Sequence, residues 1–328
     1  MAASYLAVIA YSAAVITATW FFFRRTPPWR PWIGVMNIRD VALLFGVIAA
    51  FPYLFRLPEW GTTTLLSILV ALAGYWLVNK VSESRLLAGT VGAVVVGVEI
   101  ATAAIAGDRS NALLLVNGAV LAPVIVGAAS LFVKWGISAR DVAVFAGLLA
   151  VYDAFASSQL TLIDDLIERA SARPFVPLFG WWHGSEHLVA GGADLLVATM
   201  FPLVARKAFG KTAGLVALVT SLATIGFALA LVGENLVRAW PPTLALGPIV
   251  IAQYSWWVRR RGCEQAMWEY LRREPHVAAA EPDSTPSTAE FRAPRAPTAL
   301  TPQENLYQPI LDSSTSNGIE IRDLHQKQ

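Results

Sequence analysis

The sequence predicts an all-α membrane protein with nine spanning helices, and three observations lead to this prediction. Of its 328 residues, 55% are hydrophobic and only 15% are charged. The apolar residues lie in long blocks, close to the roughly 20 residues that a helix needs to cross a bilayer. The basic residues are concentrated in alternate connections between these blocks. A soluble helical protein would instead show helices with one apolar and one polar face.

Nine apolar blocks follow one another along the chain. The first has no basic residue before it and the stretch RRTPPWRPW after it, so we interpret it as a retained helix and not as a secretion signal. The second and the ninth are short and contain Pro52 and Pro248. The predicted helices span residues 4–23, 41–57, 62–79, 86–106, 112–133, 142–160, 187–205, 212–232 and 242–257.

The distribution of Lys and Arg predicts the orientation in the membrane, because these residues are favoured in cytoplasmic connections. With the N-terminus outside, fourteen of them lie on the inner side and five on the outer side. The inner residues are Arg24, Arg25, Arg30, Arg39, Lys80, Arg85, Lys134, Arg140, Arg206, Lys207, Lys211, Arg259, Arg260 and Arg261; the outer ones are Arg56, Arg109, Arg169, Arg173 and Arg238. We therefore expect an outer N-terminus and a cytoplasmic C-terminus.

The end of the chain has a different composition. From about residue 274 it is rich in Pro, Ser, Thr, Ala and Glu, which cannot bury enough apolar surface to fold. We divide the chain into a membrane domain, 1–258, and a basic and then disordered cytoplasmic tail, 259–328. The single cysteine, Cys263, leaves no cysteine-based metal site. We expect no metal, no other cofactor and no nucleic-acid partner.

Two carboxylates interrupt consecutive apolar blocks. Asp153 lies in VYDAF, residues 151–155, and Asp194 lies in AGGADLLV, residues 190–197. An ionisable residue inside a spanning helix is costly, by roughly 2.5 to 3.5 kcal/mol at the helix centre, and therefore indicates function. At about 1.5 Å per residue, both lie about 10 Å below the outer interface if the sixth and seventh helices span 142–160 and 187–205. Antiparallel neighbours could then bring the carboxylates together, so that they share one proton and activate water.

These motifs resemble those of the presenilin and signal peptide peptidase family of intramembrane aspartyl proteases. VYDAF is similar to the family's Tyr-Asp motif, and GGAD, residues 191–194, to its Gly-x-Gly-Asp motif. LALGP, residues 244–248, stands in the ninth block where the family has Pro-Ala-Leu. The connecting stretch TLIDDLIERASARPFVPLFGWW is also similar to presenilin. The resemblance covers about residues 1–258 and implies a presenilin-like fold of nine helices.

The resemblance implies a catalytic dyad of Asp153 and Asp194 and a set of supporting residues. The side chains and backbone expected to support the active site and the substrate strand are those of Tyr152, Gly191, Ala193, Leu244, Ala245 and Leu246. Two positions depart from the family: Ala193 replaces the glycine before the aspartate, and Leu244 replaces the first residue of Pro-Ala-Leu. The implied substrates are transmembrane segments of other proteins, reached within membrane lipid. The predicted orientation resembles signal peptide peptidase, which favours type II substrates.

Three other interpretations of the polar residues remain open. The aspartates could form a buried polar network that fixes helix packing, or could serve a proton- or cation-coupled transporter whose path continues through Glu99 and Asn117. HGSEH, residues 183–187, satisfies the His-x-x-Glu-His pattern of some zinc proteases. It contains a glycine, follows two tryptophans and has no evident third ligand, so we interpret it as a polar rim at the membrane interface.

Overall fold

The part of the chain that the structure describes forms nine α-helices and one β-hairpin. The computed structural model describes residues 2–25, 36–82, 84–107, 110–159, 170, 173–183, 186–233, 241–262 and 264. The elements are α1 (Ala2–Arg25), α2 (Ile38–Leu54), α3 (Glu59–Ser82), α4 (Arg85–Ala106), α5 (Asn111–Lys134), α6 (Ala139–Gln159), β1 (Leu178–His183), β2 (Glu186–Gly191), α7 (Gly192–Phe209), α8 (Lys211–Gly233) and α9 (Thr243–Arg261).

Each of the nine apolar blocks contains a helix, with one clear error in a boundary. The sequence predicts a helix from residue 187 in the seventh block, but residues 186–191 form strand β2 and the helix begins at Gly192. A short apolar run before a Gly-Gly pair suits a strand as well as a helix, and periodicity cannot separate the two. The ninth helix extends to Arg261, so the predicted domain boundary at 258 falls inside it. The predicted disordered tail lies outside the described residues.

Five helices, α1, α3, α4, α5 and α8, are long and apolar enough to cross a membrane. Their outward surfaces are rich in exposed large apolar side chains, as expected of a protein surrounded by lipid, such as Leu72 on α3 and Ile105 on α4. The described chain is therefore mostly helical, and five of its helices have the length and the apolar composition that a membrane protein needs. That α2, α6, α7 and α9 also span the bilayer stays a prediction.

Helix α7 forms the centre of the packing. From Leu195 to Phe209 nearly every residue is buried, and a helix that is buried on all sides must be surrounded by others. It packs against α8 most extensively and also contacts α1, α5, α6 and α9. The apolar residues of these helices form one continuous core. Asp194, in the first turn of α7, is thus held at the edge of the best-packed part of the molecule.

Helices α6 and α9 approach each other closely because a glycine lies between them. A Cβ atom at Gly247 of α9 would lie 2.6 Å from the carbonyl oxygen of Ala146 and 2.6 Å from the Cβ of Ala150, both on α6. Small residues allow such close approach of two helix backbones. One turn before Gly247 lies Thr243, and one turn after Ala150 on α6 lies Asp153, so this contact sets the distance between those two residues.

The N-terminus of α6 is capped from the far end of the described chain. The backbone N–H groups of Ala139 and Arg140 donate to the carboxylate of Glu264, which follows α9. The first N–H groups of a helix have no partner within the helix, and a carboxylate there also interacts favourably with the helix dipole. The segment after α9 is therefore attached directly to the helix that contains Asp153.

Candidate active site

Two carboxylates from different helices converge on a third residue. Thr243, the first residue of α9, forms a hydrogen bond between its hydroxyl and Asp153 Oδ2, and its backbone N–H donates to Asp194 Oδ1 at 3.1 Å. The two aspartates are also close enough to interact electrostatically. Asp194 is buried, whereas Asp153 is partly accessible when the protein is considered without lipid. The structure therefore brings together the two residues that the sequence singles out.

No family model, curated protein or solved structure matches this chain.

The position of Asp194 depends on the two glycines before it. Asp194 Oδ2 accepts the N–H of Gly191 at 3.1 Å, and a Cβ at Gly191 would lie only 2.8 Å from that oxygen. The N–H of Gly192 donates to the carbonyl of Pro177 at 2.6 Å, which closes the hairpin against the start of α7. Asp194 is thus the third residue of its helix. The depth estimate for Asp194 rests on a helix beginning at residue 187, and that start is wrong: residues 186–191 form a strand, which rises more than twice as far per residue as a helix.

Thr243 is available to both aspartates because of how α9 begins. Pro241 and Pro242 precede it, and their carbonyls accept the N–H groups of Leu244, Ala245 and Leu246 in the first helical turn. The N–H of the first residue has no acceptor within a helix and so must find one elsewhere. Asp194 supplies that acceptor. Sequence reasoning missed Thr243; the signal available was a hydroxyl residue directly after a Pro-Pro pair at a helix start.

The supporting residues predicted by resemblance are only partly gathered at the dyad. Gly191 contacts Asp194, as described, and Ala193 is half-buried in the same turn. Tyr152 instead faces α2, where its hydroxyl donates to the carbonyl of Ala49 at 3.4 Å and its ring packs edge-on against Phe45.

The expected Pro-Ala-Leu equivalents lie just beyond Thr243. Leu246 is buried in the core, whereas Leu244 and Ala245 are half-buried in the first turn of α9. It is Thr243, one residue before them, whose hydrogen bonds reach the carboxylates.

A β-hairpin leads directly into the site. Strands β1 and β2 are antiparallel, with Leu178 opposite Gly191 and His183 opposite Glu186. The strand pair ends at Gly191, three residues before Asp194, and β1 packs against α5 and α1. Extended backbone is therefore present within a few residues of the dyad.

Two polar residues of the membrane helices hold the segment that enters this hairpin. Asn117 of α5 donates its amide to the carbonyls of Val176, at 2.6 Å, and Leu178, at 2.5 Å. Glu99 of α4, fully buried, accepts the N–H of Phe175, whose φ of 63° lies in a region unusual for a residue other than glycine. Glu99 and Asn117, which a transporter interpretation would place on an ion path, thus bind backbone groups of the segment before β1 and of the first residue of β1.

The His-x-x-Glu-His pattern does not form a helical metal site. His183 and His187 lie on opposite strands of the hairpin, with His187 opposite Trp182, whereas the zinc-binding arrangement needs both imidazoles on one helical face. The side chains of this stretch lie outside the described residues. Elsewhere in the described chain, no three His, Cys, Asp or Glu side chains gather in a way that could hold a metal ion.

The arrangement has the components needed for acid–base chemistry on water. Two carboxylates close together and shielded from solvent cannot both ionise easily, so such a pair holds one proton between them. One member can then accept a proton from water while the other donates one to a substrate oxygen.

Proposed function

We propose that this protein is an intramembrane aspartyl protease that cuts transmembrane segments of other proteins. The observation that carries the proposal is the convergence of Asp153 and Asp194, from two different helices, on Thr243 of a third. The resemblance of VYDAF and GGAD to the motifs of the presenilin and signal peptide peptidase family supports the same conclusion. On this proposal the nine helices adopt a presenilin-like fold and all of them span the bilayer.

The proposed reaction needs only the dyad and a water molecule. The ionised aspartate takes a proton from water, whose oxygen bonds to the scissile carbonyl carbon, and the protonated aspartate gives its proton to the carbonyl oxygen. A neutral gem-diol results. The aspartate that took the proton from water then protonates the amide nitrogen as the C–N bond breaks. A hydroxyl of the gem-diol gives its proton to the other aspartate, which had donated to the carbonyl oxygen. The products are a carboxylic acid and an amine, and the dyad regains its starting state.

The β-hairpin offers a way to present a helical substrate. A helix in lipid has its amides hydrogen-bonded internally, so a few residues must unwind before a carbonyl can meet water. The unwound backbone then needs new partners. A two-stranded sheet has an unpaired edge on each strand among the described residues, and pairing with such an edge supplies backbone hydrogen bonds beside the dyad.

The bias of basic residues places the N-terminus outside and the C-terminus in the cytoplasm on this proposal. By resemblance to signal peptide peptidase, the substrates are then type II membrane proteins, whose segments lie antiparallel to those of type I proteins. Membrane lipid surrounds both enzyme and substrate.

The test is cleavage of a type II transmembrane peptide by purified protein in detergent or in vesicles. We expect cleavage that a hydroxyl-containing peptide isostere of the gem-diol blocks, and its loss in both Asp153→Asn and Asp194→Asn. The control is Asp40→Asn, because Asp40 is exposed at the start of α2 and its cap can be maintained by an amide oxygen. Substantial turnover in either dyad variant would overturn the assignment. Proton or cation uptake without peptide cleavage would favour the transporter.

A further inference from the structure

The two aspartates differ in whether their hydrogen-bond partners can only donate or can also accept. Asp194 accepts two backbone N–H groups, one on each oxygen: Gly191 on Oδ2 and Thr243 on Oδ1, both at 3.1 Å. A backbone N–H can only donate, and a carboxylate that accepts such bonds is favoured in its ionised form. Among the described residues, no backbone N–H donates to Asp153; its partner is the hydroxyl of Thr243, which also lies against Asp194. A hydroxyl can accept as well as donate, so it is compatible with a protonated carboxyl.

The helix ends add to this difference. Asp194 is the third residue of α7 and also faces the first residue of α9, so it lies at two helix N-termini. The partial positive charge there stabilises an anion. Asp153 lies in the C-terminal half of α6, where the dipole gives no such support.

From this asymmetry we infer that the shared proton resides on Asp153, that Asp194 is the ionised base, and that the Thr243 hydroxyl is a positioning residue for the protonated carboxyl. The inference rests on the proposed proteolytic function and assigns its two catalytic roles. Asp194 takes the proton from the attacking water, and Asp153 gives its proton to the scissile carbonyl oxygen. In the second half, Asp194 protonates the departing nitrogen and Asp153 regains a proton from the gem-diol.

Within the described part of the chain, few other titratable groups lie near this pair. On the described elements packed against α6, the titratable side chain that acts on Asp153 is Asp194 of α7. Tyr152 of α6 itself lies beside Asp153, and Tyr53 of α2 lies near Tyr152. From α9 the group that reaches the site is the Thr243 hydroxyl, which does not ionise. A substitution at Thr243 should therefore alter the pH dependence of cleavage only through the two aspartates.

The first test is the pH dependence of peptide cleavage by Thr243→Val, which removes the hydroxyl and keeps the backbone N–H. Activity needs one proton on the dyad, so the profile has an acidic and a basic limb. If the hydroxyl accepts from protonated Asp153, its loss makes that proton easier to remove, and the basic limb moves to lower pH. We expect kcat to fall by about tenfold to a hundredfold with little change in KM. Thr243→Ser should return the basic limb to its wild-type position.

The control for the substitution is Thr64→Val on α3, where an exposed hydroxyl bonds only within its own helix. An acidic limb that moves to higher pH in Thr243→Val would mean that the hydroxyl donates to an ionised Asp153, and would reverse the assignment. A pH profile of Thr243→Val that equals the wild-type profile would show that the hydroxyl does not affect the protonation of the dyad. Wild-type protein that cuts no peptide would instead overturn the proposed function.

A second test does not depend on activity or on the folding of a Thr243 variant. An amide resembles a protonated carboxyl in charge and shape, so Asp153→Asn should imitate the resting dyad. Binding of the gem-diol isostere should weaken by less than about tenfold in Asp153→Asn and by about a hundredfold or more in Asp194→Asn. The opposite order, or equal losses, would contradict the assignment of the proton even if both variants fail to cut peptide.

Discussion

Replacing Gly247 by alanine should separate the two helices that hold Thr243 and Asp153. The new methyl would lie 2.6 Å from both the Ala146 carbonyl oxygen and the Ala150 Cβ, whereas non-bonded carbon atoms prefer about 3.5 to 4.0 Å. The backbones must therefore move apart by about 1 Å. Because the carbonyl belongs to the backbone of α6, no change of rotamer can relieve the contact.

The size of the effect follows from that displacement. Overpacking of this kind costs about 1 to 3 kcal/mol, which lowers the free energy of unfolding. A displacement of about 1 Å at a catalytic group can reduce the rate by about a hundredfold. We therefore expect kcat for peptide cleavage to fall about a hundredfold in Gly247→Ala, with a moderate decrease in the thermal stability of the detergent-solubilised protein.

The matched control is Gly226→Ala on α8, because a Cβ there would meet nothing within 4 Å. That variant should cleave peptide at the wild-type rate, and its thermal stability should not decrease. Ala150→Gly combined with Gly247→Ala should restore only part of the activity, since the contact with the Ala146 carbonyl remains. Wild-type cleavage by Gly247→Ala would refute the idea that the α6–α9 contact sets the geometry of the dyad.

Three further predictions concern the hairpin, the orientation and the substrate. Asn117→Leu should leave the carbonyls of Val176 and Leu178, at the start of β1, without their donor and destabilise the protein by about 1 to 3 kcal/mol, measured by thermal unfolding, with a larger loss of cleavage than of stability. A cysteine placed at Ser171, after replacement of Cys263 by serine, should react with an impermeant reagent from the outer side; reaction only from the cytoplasm would reverse the orientation and remove the preference for type II substrates. Ala193→Gly should widen the range of side chains accepted near the scissile bond in a peptide series from Ala to Phe, and an unchanged ranking would show that the alanine does not shape specificity.

The helices were predictable because each is a long apolar run, which the sequence displays directly. Asp153 and Asp194 were equally predictable, because an ionisable side chain inside an apolar run costs free energy and therefore indicates function. The start of α7 was not predictable, because residues 187–191 begin an apolar block and their strand conformation depends on pairing with β1. Tertiary pairing of this kind leaves no local signal.

Thr243 could not be identified as a site residue from the sequence, for a different reason. A threonine at the start of a helix is common, and nothing in its neighbourhood distinguishes a cap from an active-site residue. Its importance comes from the positions of two side chains about 50 and 90 residues earlier in the sequence. The resemblance pointed to the residues just after it, Leu244 to Leu246, because motif comparison identifies residue types and not contacts.

The cap that Glu264 forms on α6 limits how far the C-terminus can be shortened. A chain that ends at Arg261 would keep the nine described helices but would leave the N–H groups of Ala139 and Arg140 without this acceptor. Loss of a helix cap costs about 0.5 to 2 kcal/mol, and here it would loosen the first turn of the helix that contains Asp153. Fusion partners, affinity tags and truncations should therefore be placed beyond residue 264, where they do not disturb the cap of the helix that contains Asp153.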